Sequence, residues 1–143
     1  MKPKRLQFGR TPETPKLDAP GIALYTPGNV FALDSQAAIR ISGCARAAKK
    51  DSPADKKALA GGIFITAVEA YEQHALCANL LQHHILFEDD MVDAGKDYVI
   101  SFSFDLMQSV PIPMAPFTFF VHASFLRHVS NCLVIQLTGQ PSA

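Results

Sequence analysis

In the stretch DYVISFSFDL (Asp97–Leu106), the residues Tyr98, Ile100, Phe102, Phe104 and Leu106 recur at every second position, with Ser101, Ser103 and Asp105 between them. A helix would scatter those five side chains around its circumference, whereas a strand lines them up on one face. Gln36–Arg46 alternates in the same way, with Ala37, Ile39 and Ile41 on one side and Arg40, Ser42 and Arg46 on the other. FTFFVHASFL (Phe117–Leu126) differs from both, being apolar on both faces, and reads as a central strand. CLVIQL (Cys132–Leu137) is its returning partner, reached through RHVSN, so the pair predicts a hairpin with a loop of about four or five residues.

Weaker signals fill the remainder. IALYTPG (Ile22–Gly28) is a short edge strand closed by a Pro-Gly turn, and Ile63–Val68 is a β-branched run that follows the Gly61-Gly62 pair. Lys49–Lys57 is a charged connection in which Ser52 or Asp55 is placed to cap one helical turn through Ala60. Pro111, Pro113 and Pro116 exclude regular structure between Val110 and Phe117. Pro3, Pro12, Pro15 and Pro20 make residues 1–20 an extended arm, with residues 21–143 as the folded domain. The expected fold is all-β, a two-sheet antiparallel β-sandwich of immunoglobulin-like proportions behind that arm. The likeness is one of proportion alone, since the chain has no Cys–Trp–Cys triplet and no tyrosine-corner motif.

Thr66–Asp89 is ambiguous, because Ala, Glu, Leu and Gln favour a helix there. A helix would gather His74, Cys77 and His84 on neighbouring positions, a set able to bind Zn²⁺ or Cu⁺, with His83 alongside. A pair of strands would instead put Cys77 and His83 on the face opposite to His74 and His84. Strands fit the better-defined elements around them and are the expectation. Glu88, Asp89, Asp90, Asp93 and Asp97 supply hard oxygen ligands, but their spacing does not match a calcium-binding loop. They read as a solvated turn, with Ala94-Gly95-Lys96 reversing the chain into the Tyr98 strand.

Composition narrows the function classes. With 48% hydrophobic and 18% charged residues, the 143-residue chain has ample material for one core. A formal net charge of zero gives no bulk attraction to nucleic acid or to an anionic membrane, and neither is expected as a partner. That zero conceals an imbalance: residues 1–57 hold 11 Lys/Arg against 5 Asp/Glu, and residues 58–143 hold 2 against 8. Oppositely charged halves give two copies a means of attraction. Three widely spaced cysteines, Cys44, Cys77 and Cys132, suit a reducing compartment, and with no apolar leader behind the basic start the expected location is cytoplasmic.

No nucleophile elbow, phosphate-binding loop, dinucleotide fingerprint or H-E-x-x-H motif is present, and no cofactor is expected. The leading expectation is a non-enzymatic module that binds another protein or a second copy of itself. Three routes to such binding are the arm around Phe8, an exposed sheet edge, and the proline-held loop carrying Val110, Ile112, Met114 and Phe117. Those loop side chains have an equally simple role as the plug at one end of the sandwich. Two alternatives are a metal-binding module built on His74, Cys77, His83 and His84, and an enzyme whose site assembles from His122, His128, Asp105 and Cys132.

Overall fold

Extended backbone is found almost wherever the sequence alternates. The computed structural model describes residues 7–8, 15–32, 39–53, 56–71, 73–79, 91–110, 112 and 115–139. Four strands come first: β1 (Gln7–Phe8), β2 (Gly21–Tyr25), β3 (Val30–Ala32) and β4 (Arg40–Ala48). A 3-10 turn at Lys49–Asp51 and the short helix α1 (Lys56–Ala60) lead into β5 (Ile63–Glu69) and β6 (Ala75–Asn79). Then come β7 (Met91–Ala94), β8 (Asp97–Asp105) and the single helical turn α2 (Leu106–Ser109). The chain closes with β9 (Thr118–Phe125), β10 (His128–Val129) and β11 (Leu133–Thr138).

These strands make two open sheets. The first has the order β1-β8-β4-β2, with β7 also paired to β8, and every pairing in it is antiparallel. The second has the order β3-β11-β9-β5-β6, with β10 also on β9. One pairing in it departs from the antiparallel expectation: β3 runs parallel to β11. The chain changes sheets between Tyr25 and Val30, and a crossover, unlike a hairpin, does not force its strand to run antiparallel. Thr66–Glu69 and Ala75–Asn79 are strands, as expected, and residues 80–90 of the ambiguous stretch lie outside the described residues.

A single apolar cluster draws on the inner faces of both sheets. At several positions large inward side chains face small ones across a strand pair. On β8 the inner face carries Ile100, Phe102 and Phe104, and on β4 their register partners are Ala45, Gly43 and Ile41. Gly43 is the extreme case, for a Cβ there would stand 2.3 Å from Cζ of Phe102, inside the space its fully buried ring occupies. The second sheet repeats the device: Ile65 faces Ala123, and Ala67 faces Val121. Interdigitation of this kind gives a close-packed interior without voids.

One polar side chain fastens the two sheets along an edge. Asn131, between β10 and β11, accepts from the Leu24 amide through Oδ1 at 2.9 Å and donates from Nδ2 to the Leu24 carbonyl at 2.9 Å. Its amide thus pairs with β2 as a strand backbone would. On the same segment the Ser130 hydroxyl accepts from the Ala123 amide at 2.8 Å, which holds the approach to β11 against β9.

Several local expectations change. The Ser52 hydroxyl donates to the Ala48 carbonyl at 2.7 Å instead of capping α1, and Asp55, the other capping candidate, lies outside the described residues. The terminal hairpin is tighter than expected, since β10 already pairs with β9 after Leu126-Arg127, with Leu126 at φ +54°. Leu106 ends the alternation of β8 by starting α2, whose N-terminus Asp105 caps by accepting from the Met107 amide at 3.1 Å. Of the arm, β1 pairs with Phe102 and Ser103 of β8, and the Leu17 carbonyl accepts from Arg46 Nη1 at 2.9 Å.

Two predictions follow from this packing. Gly43→Ala should cost about 1–3 kcal/mol by forcing Phe102 off its seat. Combining it with Phe102→Leu should cost measurably less than the two single losses added, because the smaller side chain vacates the clash. Additive losses in urea denaturation would disprove the coupling. Asn131→Ala removes two part-buried hydrogen bonds and should cost about 1–2 kcal/mol. Asn131→Asp should be at least as damaging at pH 7, since a carboxylate faces the Leu24 carbonyl. The introduced carboxyl is neutral and able to donate only when protonated, so its folded-state pKa is raised. The deficit relative to the native chain should therefore shrink as pH falls through the carboxyl range, which melting at matched pH values reads directly.

Candidate interaction surface

The outward face of the second sheet is where the sequence pattern and the fold disagree most usefully. The alternation of β9 suggests two apolar faces, but only the buried one is wholly apolar; the outward one carries Thr118, His122 and Ser124 around Phe120. Phe119, Val121, Ala123 and Phe125 are buried, while Phe120 points outward and is 40% exposed. Register places Phe120 directly between Val68 of β5 and Val134 of β11, the latter 42% exposed. These three side chains form one apolar row across three adjacent strands, and Ala75 of β6 extends it beside Val68.

Parallel rows flank it. Cys77, Thr66 and His122 lie side by side on β6, β5 and β9, with the Thr66 hydroxyl 3.5 Å from Cys77 Sγ. Beyond them Phe64, 41% exposed, stands between Asn79 and Ser124, and the exposed Val129 of β10 faces Ser124 from the other side. On the opposite flank, Thr118, Gln136 and the exposed Val30 complete the face. None of the outward positions on β3, β5, β6, β9 and β11 is Asp, Glu, Lys or Arg.

The outward face of the other sheet is charged by contrast. Arg46 Nε and Asp97 Oδ2 form an ion pair at 2.6 Å across β4 and β8, and Arg40 Nη2 donates to the Ser103 hydroxyl at 3.2 Å. Near the β7–β8 turn, Lys49 Nζ sits 2.6 Å from Asp93 Oδ1 and 5.2 Å from the centroid of the Tyr98 ring. Asp93 and Asp97, two carboxylates of the acidic turn, thus each have a cationic partner; Glu88, Asp89 and Asp90 lie outside the described residues. Beside this turn, Pro20, Lys50, Asp51 and Lys96 help to line an open depression of about 690 Å³.

Among the described residues, those singled out from sequence are dispersed over the molecule. Val110 is 1% exposed and Ile112 7%, so both belong to the core, as the plug reading of that loop requires. Phe117 is 37% exposed and packs edge-on against Phe119, with ring centroids 6.2 Å apart. Phe8 lies on β1 in register with Phe102, and Met114, His83 and His84 lie outside the described residues. His74 precedes β6, where its carbonyl accepts from the Glu69 amide at 2.9 Å, and Cys77 is on β6 itself; both are exposed. Among the described residues, no three His, Cys, Asp or Glu side chains are grouped closely enough to hold a metal ion.

His122 and Asp105 are on different sheets. Asp105 Oδ1 is occupied by the amides of Met107 and Ile39, the latter at 3.2 Å, whereas His122 is on the outward face of β9. His128 is on β10, and the exposed Cys132 directly precedes β11. The Val68–Phe120–Val134 row, rather than the proline-held loop, is the exposed apolar feature that sequence reasoning passed over. Its signal was Phe120, the apolar residue on the otherwise polar second face of β9. No helix among the described residues is long and apolar enough to cross a membrane. No protein-family model matches the chain, and no curated protein matches it.

Proposed function

We propose that this chain is a non-enzymatic immunoglobulin-like module, working in the cytoplasm, that binds protein through the outward face of the β3-β11-β9-β5-β6 sheet. The support for an immunoglobulin-like arrangement is strand order. Taking β2, β4, β8 and β7 as A, B, E and D reproduces the A-B-E-D sheet of that fold. β5, β9 and β11 then fall in place as C, F and G, with β6 as an added strand beside C. The cytoplasmic part rests on three cysteines that form no disulfide with one another, one buried and two exposed.

The observation that carries the binding reading is the Val68–Phe120–Val134 row on a face without charge. Exposed apolar residues scattered singly need no explanation, but a contiguous stripe across three strands marks a surface that is covered in use. An aromatic at the centre, with aliphatic neighbours on both flanks and polar residues beyond, is also how a binding patch concentrates its energy. A rigid sheet presents that patch with little ordering cost.

Phe120→Asp tests the reading, with Val92→Asp, an exposed apolar position on β7 of the other sheet, as its control. Isolation of tagged chain from cells, followed by quantification of each associated species, should show partners retained by the native chain and Val92→Asp. Phe120→Asp should lose at least nine-tenths of that association while melting within a few degrees of the native chain. Equal recovery by all three chains would overturn the assignment of the face.

A further inference from the structure

We infer that the occupant of this face is a second copy of the same chain, docked sheet to sheet about a two-fold axis. The inference rests on the binding face proposed above and goes further by naming what covers it. In an isologous dimer each patch meets itself, so any residue near the axis faces its own copy. A lysine or carboxylate at the centre would then oppose a like charge, whereas an uncharged patch carries no such penalty. The outward positions of the five paired strands contain no charged side chain, and the row through Phe120 occupies their middle. The chain as a whole adds no repulsion either, with a formal net charge of zero and a pI near 7.0.

Size agrees with this occupant. Five strands spaced about 4.8 Å apart, contributing about six residues each at about 3.4 Å, span roughly 24 by 20 Å. That footprint is on the order of 500 Å² per partner before side-chain relief is added, just under the low end of the ~600–1,000 Å² per partner of specific interfaces. The pattern of rows suits a face-to-face meeting as well. Phe120 stands proud between two aliphatic side chains, and the neighbouring row of Cys77, Thr66 and His122 offers smaller polar groups beside it.

Solution mass decides the matter. Light scattering and sedimentation of the purified full chain, at concentrations on the order of 1–300 µM, should approach twice the single-chain 15.5 kDa. The midpoint should move by less than threefold between about 0.05 and 0.5 M salt, because a charge-free face is not screened. Phe120→Asp and, independently, Val134→Lys should each raise the dissociation constant at least tenfold while retaining a native circular dichroism spectrum. Alkylation of Cys77, which lies on the face, should slow severalfold as native dimer forms and stay fast in Phe120→Asp; buried Cys44 serves as the unreactive reference. A single-chain mass throughout would end the proposal of a second copy. If Phe120→Asp still abolished association in cells, the face itself would stand with a different occupant. A dimer that dissolves in salt would assign self-association to the oppositely charged chain halves and overturn the inference. A dimer indifferent to both substitutions would overturn the inference and the face together.

Discussion

Phe102 lies across Gly43, and much of the molecule is organised around the space that one missing side chain provides. β4 and β8 share the longest register in the fold, running from the Arg40–Asp105 pair to the Ala48–Asp97 pair. Along it Phe102 and Ile100 on the inner face of β8 meet Gly43 and Ala45 on β4, while Phe104 meets Ile41. The first sheet can then present Phe102 and Phe104 to the second, whose inner face carries Phe119 and Phe125 among isoleucine, alanine and valine. Hydrophobic burial drives the two together, but complementarity of volume selects this register over its neighbours: a slip by one residue would turn every inward side chain out.

Both strands of that pair were readable from alternation alone, since one polar and one apolar face leave no choice of conformation. β9 was equally plain as a strand, although its second face, read as apolar, is mostly polar, with Thr118, His122 and Ser124 around Phe120. What the sequence did not reveal was which of its two faces would meet the core, because periodicity reports burial on a face and not what covers it. The proline-held loop shows the converse. Val110 and Ile112 read equally well as anchors for a partner or as a plug, and only the fold, by burying both, separates the two roles.

Other features were hidden for different reasons. The turn α2 depends on Asp105, whose carboxylate takes up the Met107 amide just where the alternation of β8 runs into Leu106. The parallel pairing of β3 and β11 arises from a contact between residues about a hundred positions apart, and nothing local encodes it. Asn131 belongs to the same class, being separated from Leu24 by 107 positions. As for the histidines and cysteines, pleating decides their chemistry: it ranks Cys77 and His122 on either side of Thr66 in one row, and places Asp105 on the other sheet.

The clasp of Asn131 on Leu24 has a meaning beyond stability. A border strand with unsatisfied amides and carbonyls is a template on which further chains can stack without limit, and β2 forms such a border of its sheet. The carboxamide occupies one donor and one acceptor of that template. Growth by ribbon-to-ribbon addition is thereby obstructed along this rim, and the asparagine acts as a guard against fibrillar assembly as much as a fastener.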